Sequence, residues 1–248
     1  MKERIDKLLL ARGLAKSRHQ AQALLLSGAV LVDEQLIDKP GIRIDLESTL
    51  RLKSPTPIYV SRGGQKLEHV LISQKLKVQD NVCLDIGSST GGFTDCLLQH
   101  GASKVYALDV GHNQLDWKLR NDPRVISLEG VNARYLKFEV IGETVDLITL
   151  DVSFISLSLI LPVLCSFEKS DTLIVCLVKP QFELGRKLVG KGGIVRDPKN
   201  HQLAITTISD CAQKLGYRLL EVIASPILGA EGNREFFLVL DRSSDLTE

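Results

Sequence analysis

Residues 81–113 read NVCLDIGSSTGGFTDCLLQHGASKVYALDVGHN, and this stretch decides the fold of the chain. An apolar run at 82–86 meets a glycine-rich turn at 87–92, a helix-like segment follows, and a second apolar run ends in Asp109. This order predicts a strand, a turn, a helix and a second, parallel strand. Such a unit presents backbone N–H groups and a helix N-terminus to a nucleotide-like ligand. The rest of the chain can then be read as delivering a substrate to this site.

The spacing of the glycines narrows the class of ligand. The turn reads DIGSSTGG, which differs from the GxGxxG spacing of nicotinamide dinucleotide sites. Its DxGxxxGG form fits S-adenosylmethionine better, with Gly87 and Gly91 allowing close approach of the backbone and Asp85 lying near the methionine part. Asp109 is placed to accept hydrogen bonds from ribose hydroxyls. A generic tight turn and a solvated charge at a strand end are the alternative interpretations of these features.

The composition limits the class of protein. The chain has 248 residues, 44% of them hydrophobic, with a mean hydropathy of +0.07 and a formal net charge of +1. It can bury a sizeable core in one or two domains, and its composition is not that of a disordered protein. The charge is unevenly distributed, because residues 1–27 hold six basic side chains against two acidic ones. A local basic patch of this kind can meet phosphates even in a nearly neutral protein.

Cysteine usage and hydropathy indicate a cytoplasmic protein. The five cysteines form no CxxC pair and have no histidine at metal-ligand spacing, so buried thiols in a reducing compartment are expected, and no metal site is predicted. Charged residues at the start of the chain break any secretory signal. The longest apolar stretch, 147–164, is interrupted by Asp151, three serines and Pro162, so no membrane insertion is expected.

Residues 1–57 are predicted to form a small N-terminal α+β domain. Two short amphipathic helices, the second capped by Ser17, precede strand-like runs between residues 29 and 52. The segment 54–57 reads SPTP and predicts an extended linker to a second domain over 58–248. Basic side chains of the helices would form a face for a nucleic-acid backbone, although a solvated charged face fits the charge pattern equally well. These side chains are Arg4, Lys16, Arg18 and His19.

Strands and helices alternate through the rest of the chain. This alternation predicts an α/β fold with a mostly parallel, doubly wound sheet, in which a terminal hairpin inserts one antiparallel strand. Helices are predicted over 67–74, 157–165 and 201–215, and further strands over 125–128, 146–150, 172–178, 218–226 and 235–240.

Four polar residues stand at conspicuous positions in this layout. Lys66 is expected in the first turn of the helix near 67–74, where the helix dipole disfavours a cation. Asp151 and Lys179 follow buried strands, and Glu235 opens the last one. A lysine at the tip of a core strand is costly to desolvate unless it is used or paired. Each has a plain explanation when taken alone, so their combination is what indicates a site.

The N-terminal segment RIDKLLLARGLAKSRHQAQALLLSGAVLVDEQLIDKP resembles the S-four RNA-binding module, whose two helices present basic residues to folded RNA. The later motifs YVSRGGQKLE, LDIGSSTGGFTDCLL, ALDVGHNQL, LEGVNAR, DVSFISL, LVKPQFE, GKGGIVRD and GNREFF resemble those of the FtsJ-like RNA 2′-O-methyltransferases. Together the two parts are similar to TlyA-type proteins, which are known as haemolysins but act as ribosomal RNA 2′-O-methyltransferases. The SST part of the glycine loop departs from the Ala/Pro-containing loop of the wider group.

The resemblance implies a Rossmann-like S-adenosylmethionine-dependent methyltransferase and a set of site residues. The implied catalytic tetrad is Lys66, Asp151, Lys179 and Glu235. The implied cofactor-binding residues are Asp85, Gly87, Ser88, Ser89, Gly91, Gly92, Phe93, Asp109, Asn132 and Asp151. The implied RNA-binding residues are Arg4, Lys16, Ser17, Arg18, Arg62, Arg186 and Lys191. The implied partners are ribosomal RNA and the ribosomal subunit, with a cytidine as the methylated nucleotide and no obligatory protein partner.

The reaction explains why these residue types are needed. A ribose 2′-hydroxyl is a weak nucleophile and a weak acid, so it must lose its proton as it attacks the sulfonium methyl group. A lysine can take that proton only when burial and a neighbouring ammonium favour its neutral form. We therefore expect Lys179 to be the base, Lys66 to orient the 2′-oxygen, Asp151 to orient Lys179, and Glu235 to fix Lys66.

Two other functions are compatible with parts of the sequence. A membrane-active haemolysin would need a spanning segment or a lytic amphipathic helix, and neither is visible. A non-catalytic RNA-binding assembly factor would keep the fold without needing the four polar residues. The presence of all four favours the enzyme.

Overall fold

A computed structural model describes residues 2–53, 58–229 and 231–242 of the chain. The chain divides into two compact units, Met1–Ile58 and Tyr59–Glu248. The predicted linker at 54–57 lies outside the described residues.

The described residues of the N-terminal unit form two helices and five short strands. Their bounds are β1 Lys2–Arg4, α1 Ile5–Ala11, α2 Arg18–Leu26, β2 Val30–Val32, β3 Gln35–Ile37, β4 Arg43–Asp45 and β5 Leu50–Leu52. The strands β2, β3 and β5 form an antiparallel sheet in the order β3-β2-β5, and β1 pairs with β4. The pair β1 and β4 is absent from the sequence prediction, because each strand has only three residues, of which all three in β1 and two in β4 are charged.

Local sequence explains the helices of this unit. The side chain of Ser17 accepts a hydrogen bond from the backbone of Gln20, so it caps α2 as predicted. The unit's small core is built from apolar side chains on both helices, with Ile5, Leu9 and Leu25 fully buried. The burial of one face of each helix therefore leaves the basic side chains on the other.

The larger unit contains seven helices and seven strands among its described residues. Their bounds are α3 Arg62–Ser73, β6 Val82–Ile86, α4 Gly92–Gln99, β7 Lys104–Asp109, α5 Trp117–Arg120, β8 Val125–Glu129, α6 Phe138–Ile141, β9 Val145–Leu150, α7 Leu161–Leu164, β10 Glu168–Val178, α8 Pro180–Glu183, α9 Pro198–Lys214, β11 Tyr217–Ala224 and β12 Phe236–Arg242.

The seven strands form one sheet in the order β11-β12-β10-β9-β6-β7-β8. The pairs from β10 to β8 are parallel, whereas β12 runs antiparallel to both of its neighbours. The predicted sheet, mostly parallel with one inserted antiparallel strand, is confirmed. Side chains alternate between two cores on its faces: Phe237 and Val239 pack with α3 and α4, and Leu238 and Leu240 pack with α9.

Several predicted element boundaries are wrong. The helix expected over 67–74 begins at Arg62, because Ser61 caps it by accepting from the backbone of Gly63. Lys66 is therefore beyond the first turn, and the argument from the helix dipole does not apply to it. The helix expected over 157–165 is divided into short turns around α7, which has a proline at its start.

The cysteine prediction needs a correction. Cys83, Cys96 and Cys176 are buried, but Cys211 is only partly buried and Cys165 is exposed. Cys165 lies in a single 3-10 turn after α7, and one turn is too short to present a regular buried face. None of the helices within the described ranges is long and apolar enough to cross a membrane.

Candidate active site

The functional residues of the larger unit meet where its parallel strands end. Gly87, Asp151 and Lys179 come directly after β6, β9 and β10. Parallel strands place their carboxyl ends at one edge of the sheet, and ligands bind in the crevice outside that edge. Two adjoining cavities lie there, with volumes of about 380 and about 430 Å³.

The first cavity, of about 380 Å³, contains all four residues of the predicted tetrad. Lys66 Nζ donates to Glu235 Oε2 over 2.6 Å, and Lys179 Nζ lies 2.6 Å from Asp151 Oδ1. Lys179 also donates to Ser153 Oγ over 3.0 Å. Lys66, Lys179 and Glu235 are each at most 9% exposed. Two ammonium groups, each with its own carboxylate, therefore face one shared space.

Close packing at the start of α3 fixes the position of Lys66. The ring of Tyr59 lies against Gly64, where an added Cβ would come within 2.2 Å of it. The buried carboxylate of Asp95 on α4 accepts from the backbone of Val60 over 2.9 Å. The first turn of α3 is thus held against α4, and the Lys66 side chain that follows is held over the cavity.

Two buried oxygen atoms of the first cavity lack hydrogen bonds within the described residues. They are Asp151 Oδ1 and Gln181 Oε1, and both residues line the cavity. Asp151 Oδ1 is close to Lys179 Nζ, but the contact does not have the angles of a hydrogen bond. Buried polar atoms are normally satisfied, so these two acceptors are suited to donors of a bound molecule.

The second cavity, of about 430 Å³, continues from the first past Gly87 and Ser89. Asp109 and Asn132 line it, together with apolar side chains such as Val131. The two oxygen atoms of Asp109 accept from the backbones of Ser89 over 2.8 Å and Gly111 over 2.7 Å. A carboxylate has lone pairs for further donors, so Asp109 can still accept from a ligand hydroxyl.

This arrangement fits S-adenosylmethionine. Gly87 has φ +83°, and a Cβ added there would lie 2.6 Å from the carbonyl oxygen of Asp151. Only glycine leaves that space open and adopts this backbone conformation readily. The Gly87 turn lines the second cavity, which is mostly apolar and is also lined by the carboxylates of Asp109 and Asp151. A nucleoside with ribose hydroxyls and a cationic sulfonium matches these groups in size, polarity and charge.

The structure does not bring two predicted cofactor residues to either cavity. Asp85 is fully buried beneath the turn, where it accepts from Thr94 Oγ1 over 2.6 Å and Thr149 Oγ1 over 2.9 Å. Burial raises the pKa of Asp85 to about 6, despite the hydrogen bonds from these hydroxyls. Gly91 packs against Leu119 instead. Ser88, Gly92 and Phe93 do line the first cavity, as expected of contact residues.

The N-terminal unit brings two of its predicted RNA-binding residues together. Asp6 is wholly buried and accepts from Arg4 Nε over 3.0 Å, Arg4 Nη2 over 2.9 Å and Arg18 Nε over 3.1 Å. The arginine side chains remain 36% and 56% exposed. Hydrogen bonds from these arginines, Arg4 first, lower the pKa of Asp6 to about 2. Lys16 and Ser17 are exposed nearby along the chain, with the Ser17 hydroxyl used as the helix cap.

The other predicted RNA-binding residues belong to the larger unit and are dispersed. Arg62 lines the first cavity, next to the tetrad. Arg186 and Lys191 are exposed in two separate 3-10 turns and line neither cavity. Arg62 is therefore placed for contact with a substrate in the cavity, and the other two are placed on the surface around it.

Sequence reasoning missed an aromatic pair at the cavities. Phe154 is 89% exposed, lines both cavities, and lies 5.0 Å from the Phe182 ring between centroids. Its φ of +63° is in the left-handed region, which a bulky side chain rarely adopts. The quoted motif DVSFISL contained this phenylalanine, but an aromatic residue after a strand is common, and only the backbone geometry marks it.

With this geometry established, comparison with known proteins gives the class. Residues 59–242 match the FtsJ-like methyltransferases, and residues 3–50 match the S4 domain, the S-four module named above. Because the first match covers well over half of the chain, the chain belongs to the FtsJ-like methyltransferases. The predicted methyltransferase sheet, the N-terminal S4 domain and the assignment as an enzyme are confirmed.

Individual relatives cover almost the whole chain. The 16S/23S rRNA (cytidine-2′-O)-methyltransferase TlyA of Mycobacterium tuberculosis is 45% identical over 243 residues, which are 98% of this chain and 91% of that protein. Hemolysin A of Brachyspira hyodysenteriae is 43% identical over 242 residues, which are 94% of this chain and 97% of that protein. The solved structure of a candidate hemolysin from Streptococcus thermophilus has a TM-score of 0.76 at 44% identity, covering 98% of this chain and 89% of that one. The predicted resemblance to TlyA-type proteins is confirmed.

Proposed function

We propose that this enzyme transfers a methyl group from S-adenosylmethionine to the ribose 2′-hydroxyl of a cytidine in ribosomal RNA. The observation that carries the proposal is the meeting of Lys66–Glu235 and Lys179–Asp151 in one cavity beside the glycine turn. The substrate is supported by the N-terminal S4 domain and by the TlyA relative, whose name specifies 16S/23S rRNA cytidines. With ribosomal RNA as its substrate, the enzyme would act in the cytoplasm and would have a ribosomal subunit as its partner.

The second cavity is the proposed holder of the cofactor. Asp109 would accept from the ribose hydroxyls, Asn132 would flank the base, and the Gly87 turn would accommodate the methionine part; all three residues line this cavity. Ser88, Ser89, Gly92 and Phe93 form the rest of the turn's contact surface. Asp85 acts beneath the turn, since its hydroxyl partners tie β6 to α4 and β9. When bound, S-adenosylmethionine supplies an electrophilic methyl group on a sulfonium.

Side chains of this protein accept the proton of the attacking hydroxyl and position its oxygen. Lys179, in its neutral form, would take the proton of the 2′-hydroxyl as that oxygen gains the methyl group. The bond from the methyl carbon to sulfur would break in the same step, and the sulfonium would leave as a neutral thioether. Ser153 and Asp151 hold the amine of Lys179 in place, and Lys66, fixed by Glu235, places a positive charge beside the oxygen. Alignment of this kind can supply a large share of the rate of a reaction between two bound groups.

The aromatic pair is the proposed platform for the target base. Phe154 presents an exposed ring at the mouth shared by both cavities. Bases of single-stranded or flipped nucleotides stack on such rings, at about 1–3 kcal/mol per base. Stacking on Phe154 would hold the nucleotide with its ribose directed at the lysines, with Arg62 available to a neighbouring phosphate.

The test is methyl transfer from labelled S-adenosylmethionine to purified ribosomal subunits, followed by mass mapping of the modified nucleotide. We expect label on a cytidine ribose, and we expect it only in RNA that lacks the modification beforehand. A protein that binds ribosomal RNA but transfers no label would instead be a non-catalytic assembly factor. Leakage from liposomes without methyl transfer would identify a membrane-active haemolysin.

A further inference from the structure

A basic cavity lies at the start of α9 and, within the described ranges, shares no lining residue with the two cavities of the active site. It has a volume of about 380 Å³, and none of the described residues that line it is acidic. The polar and aromatic members of its lining are Arg196, His201, Gln202, Arg234 and Phe236. These residues belong to the motifs GKGGIVRD and GNREFF and to the first turns of α9, and the reaction proposed above uses none of them.

Both arginines of this basic cavity have free guanidinium groups. Arg196 and Arg234 are exposed, and neither forms a hydrogen bond or ion pair with any described residue. Several other surface arginines of this unit are paired, as Arg124 is with both oxygens of Asp122, although Arg62, Arg134 and Arg186 also form no ion pair with a described residue. Two unpaired guanidinium groups on one concave surface without a carboxylate are suited to an anion, and phosphate matches their planar donors well.

A buried clamp built around Asn233 holds the two arginines side by side. Asn233 is 1% exposed; its Oδ1 accepts from the backbone of Val195 over 2.9 Å, and its Nδ2 donates to the carbonyl of Gly193 over 2.9 Å. His201 Nε2 donates to the carbonyl of the same Val195 over 2.8 Å. Arg196 follows Val195, and Arg234 follows Asn233. The clamp therefore fixes the backbone from which both guanidinium groups extend.

The N-terminus of α9 does not provide the anion site by itself. Its first N–H groups are already satisfied, because Asp197 accepts from the backbone of Lys199 over 2.9 Å with its side chain and from Asn200 over 3.0 Å with its carbonyl. An anion in the cavity would consequently be bound by the two side chains. This distinguishes the cavity from an ordinary helix terminus.

The basic cavity lies across one chain segment from the reacting groups. Glu235 lines the active site, whereas its neighbours Arg234 and Phe236 line the basic cavity, as expected where side chains alternate in extended chain. A nucleotide whose ribose reaches Lys179 belongs to a chain that continues beyond the active-site cavity, and the segment 234–236 forms part of the wall of that cavity. Its backbone carries one phosphate per nucleotide, so a cationic site here would meet it.

We propose that Arg196 and Arg234 together bind one phosphate of the RNA backbone flanking the target nucleotide. The site rests on the proposed RNA substrate and adds to it a contact outside the S4 domain. It positions the RNA without reading its sequence, since phosphate contacts fix register and orientation. Asn233 is a positioning residue for this site.

The test measures the salt dependence of RNA binding by the full chain, using fluorescence anisotropy of a labelled RNA hairpin with cytidines in its loop. Loss of one phosphate contact makes the slope of log K against log salt less steep by about 0.7–0.9. We expect that change in R196A/R234A, with affinity about 10-fold weaker at low salt. The charge-retaining R196K/R234K should keep most of the slope.

The matched control removes two positive charges elsewhere in the same unit. Lys77 and Lys214 are exposed after α3 and at the end of α9, at the sheet edge opposite the active site. K77A/K214A should leave the slope unchanged. A wild-type slope in a folded R196A/R234A protein, or an equal change in the control, would overturn the phosphate site. The binding assay needs no methyl transfer, so it succeeds or fails independently of the proposed reaction.

Discussion

The S4 domain and the catalytic domain both place carboxylates beside cations, but they differ in whether the cation is exposed. In the S4 domain Asp6 is wholly buried, and its arginine partners remain 36% and 56% exposed. In the catalytic domain the cations are buried as well, with Lys66 and Lys179 at most 9% exposed. One arrangement directs permanent charges outward, and the other encloses groups that can lose a proton.

The difference follows from the chemistry of the two side chains. Arginine stays protonated and presents a planar fork of donors, so it suits the capture of phosphates. Lysine is a compact ammonium whose protonation state responds to burial and neighbours, so it suits proton transfer. Asp85 gives a third case, because it is buried and the side chains that donate to it are hydroxyls. The pKa of Asp85 is raised to about 6 by burial, whereas that of Asp6 is lowered to about 2 by hydrogen bonds from arginines.

The largest effect is expected from replacing the proposed base. K179A should lower methyl transfer about 10³-fold or more, because it removes the group that accepts the proton. K179R should be similarly inactive, since arginine keeps the positive charge but does not release its proton. Single-turnover transfer of labelled methyl to ribosomal RNA measures both. Cofactor affinity from calorimetry should change by less than about 10-fold, and a K179R enzyme of wild-type rate would refute the assignment.

The second effect concerns Asp85 and the pH dependence of the free energy of unfolding. Because the folded-state pKa of Asp85 is raised, the folded protein binds a proton between about pH 4 and pH 6 that the unfolded chain has released. The free energy of unfolding should therefore fall as the pH rises through this window, by at most about 3 kcal/mol. D85N cannot titrate there, so it should lack this component. Urea unfolding of both proteins at several pH values provides the measurement, and parallel pH profiles would contradict the raised pKa.

The third effect tests the exposed arginines of the S4 domain. R4A/R18A should weaken RNA binding about 10-fold at low salt and make the salt slope less steep by about 1.8, if each arginine meets one phosphate. The double variant K39A/K53A removes two exposed charges from the same domain outside the Asp6 cluster. It should keep the wild-type slope. Equal slopes in R4A/R18A and wild type would show that the basic cluster does not contact RNA.

The smallest effect is expected from replacing Asp6, which accepts hydrogen bonds from both of those arginines. The folded-state pKa of Asp6 is lowered, so its stabilising contribution is present above about pH 4 and is lost as the pH falls through about 2. D6N should remove about 1 kcal/mol at pH 7, a value reduced by the exposure of both arginines. Hydrogen exchange of α1 amides in the full protein measures this loss. Unchanged protection in D6N would mean that the ion pairs do not stabilise the domain.

Much of the fold could be predicted because local patterns determine it. The apolar runs that bound the glycine turn predicted β6, α4 and β7, and the alternation beyond them predicted the doubly wound sheet. The start of α3 was predicted wrongly, since a capping serine followed by two glycines reads as a turn until Tyr59 and α4 pack against it. The strands β1 and β4 escaped prediction because three-residue charged segments carry no periodicity.

The site residues also divide into those that local patterns predicted and those that depend on tertiary packing. Strand-end positions made Asp109, Asp151 and Lys179 visible in the sequence, and their roles stay predictions for the experiments above. The buried position of Asp85 and the backbone of Phe154 could not be foreseen, because the first depends on packing on both sides of the sheet and the second on a torsion angle. Asp6 looked like an ordinary surface charge in an amphipathic helix.

The sequence by itself determined the class of this protein. A strand, a glycine turn, a helix and a second strand that ends in an acidic residue follow one another directly within residues 81–113. Tertiary structure alone brings together groups that are distant in the chain. Lys66 and Glu235 are separated by 169 positions and yet share a hydrogen bond, as Asn233 does with Val195 across 38. Local patterns follow from the geometry of one element, whereas a charge acquires its partner and its protonation state only from elements that the fold brings beside it.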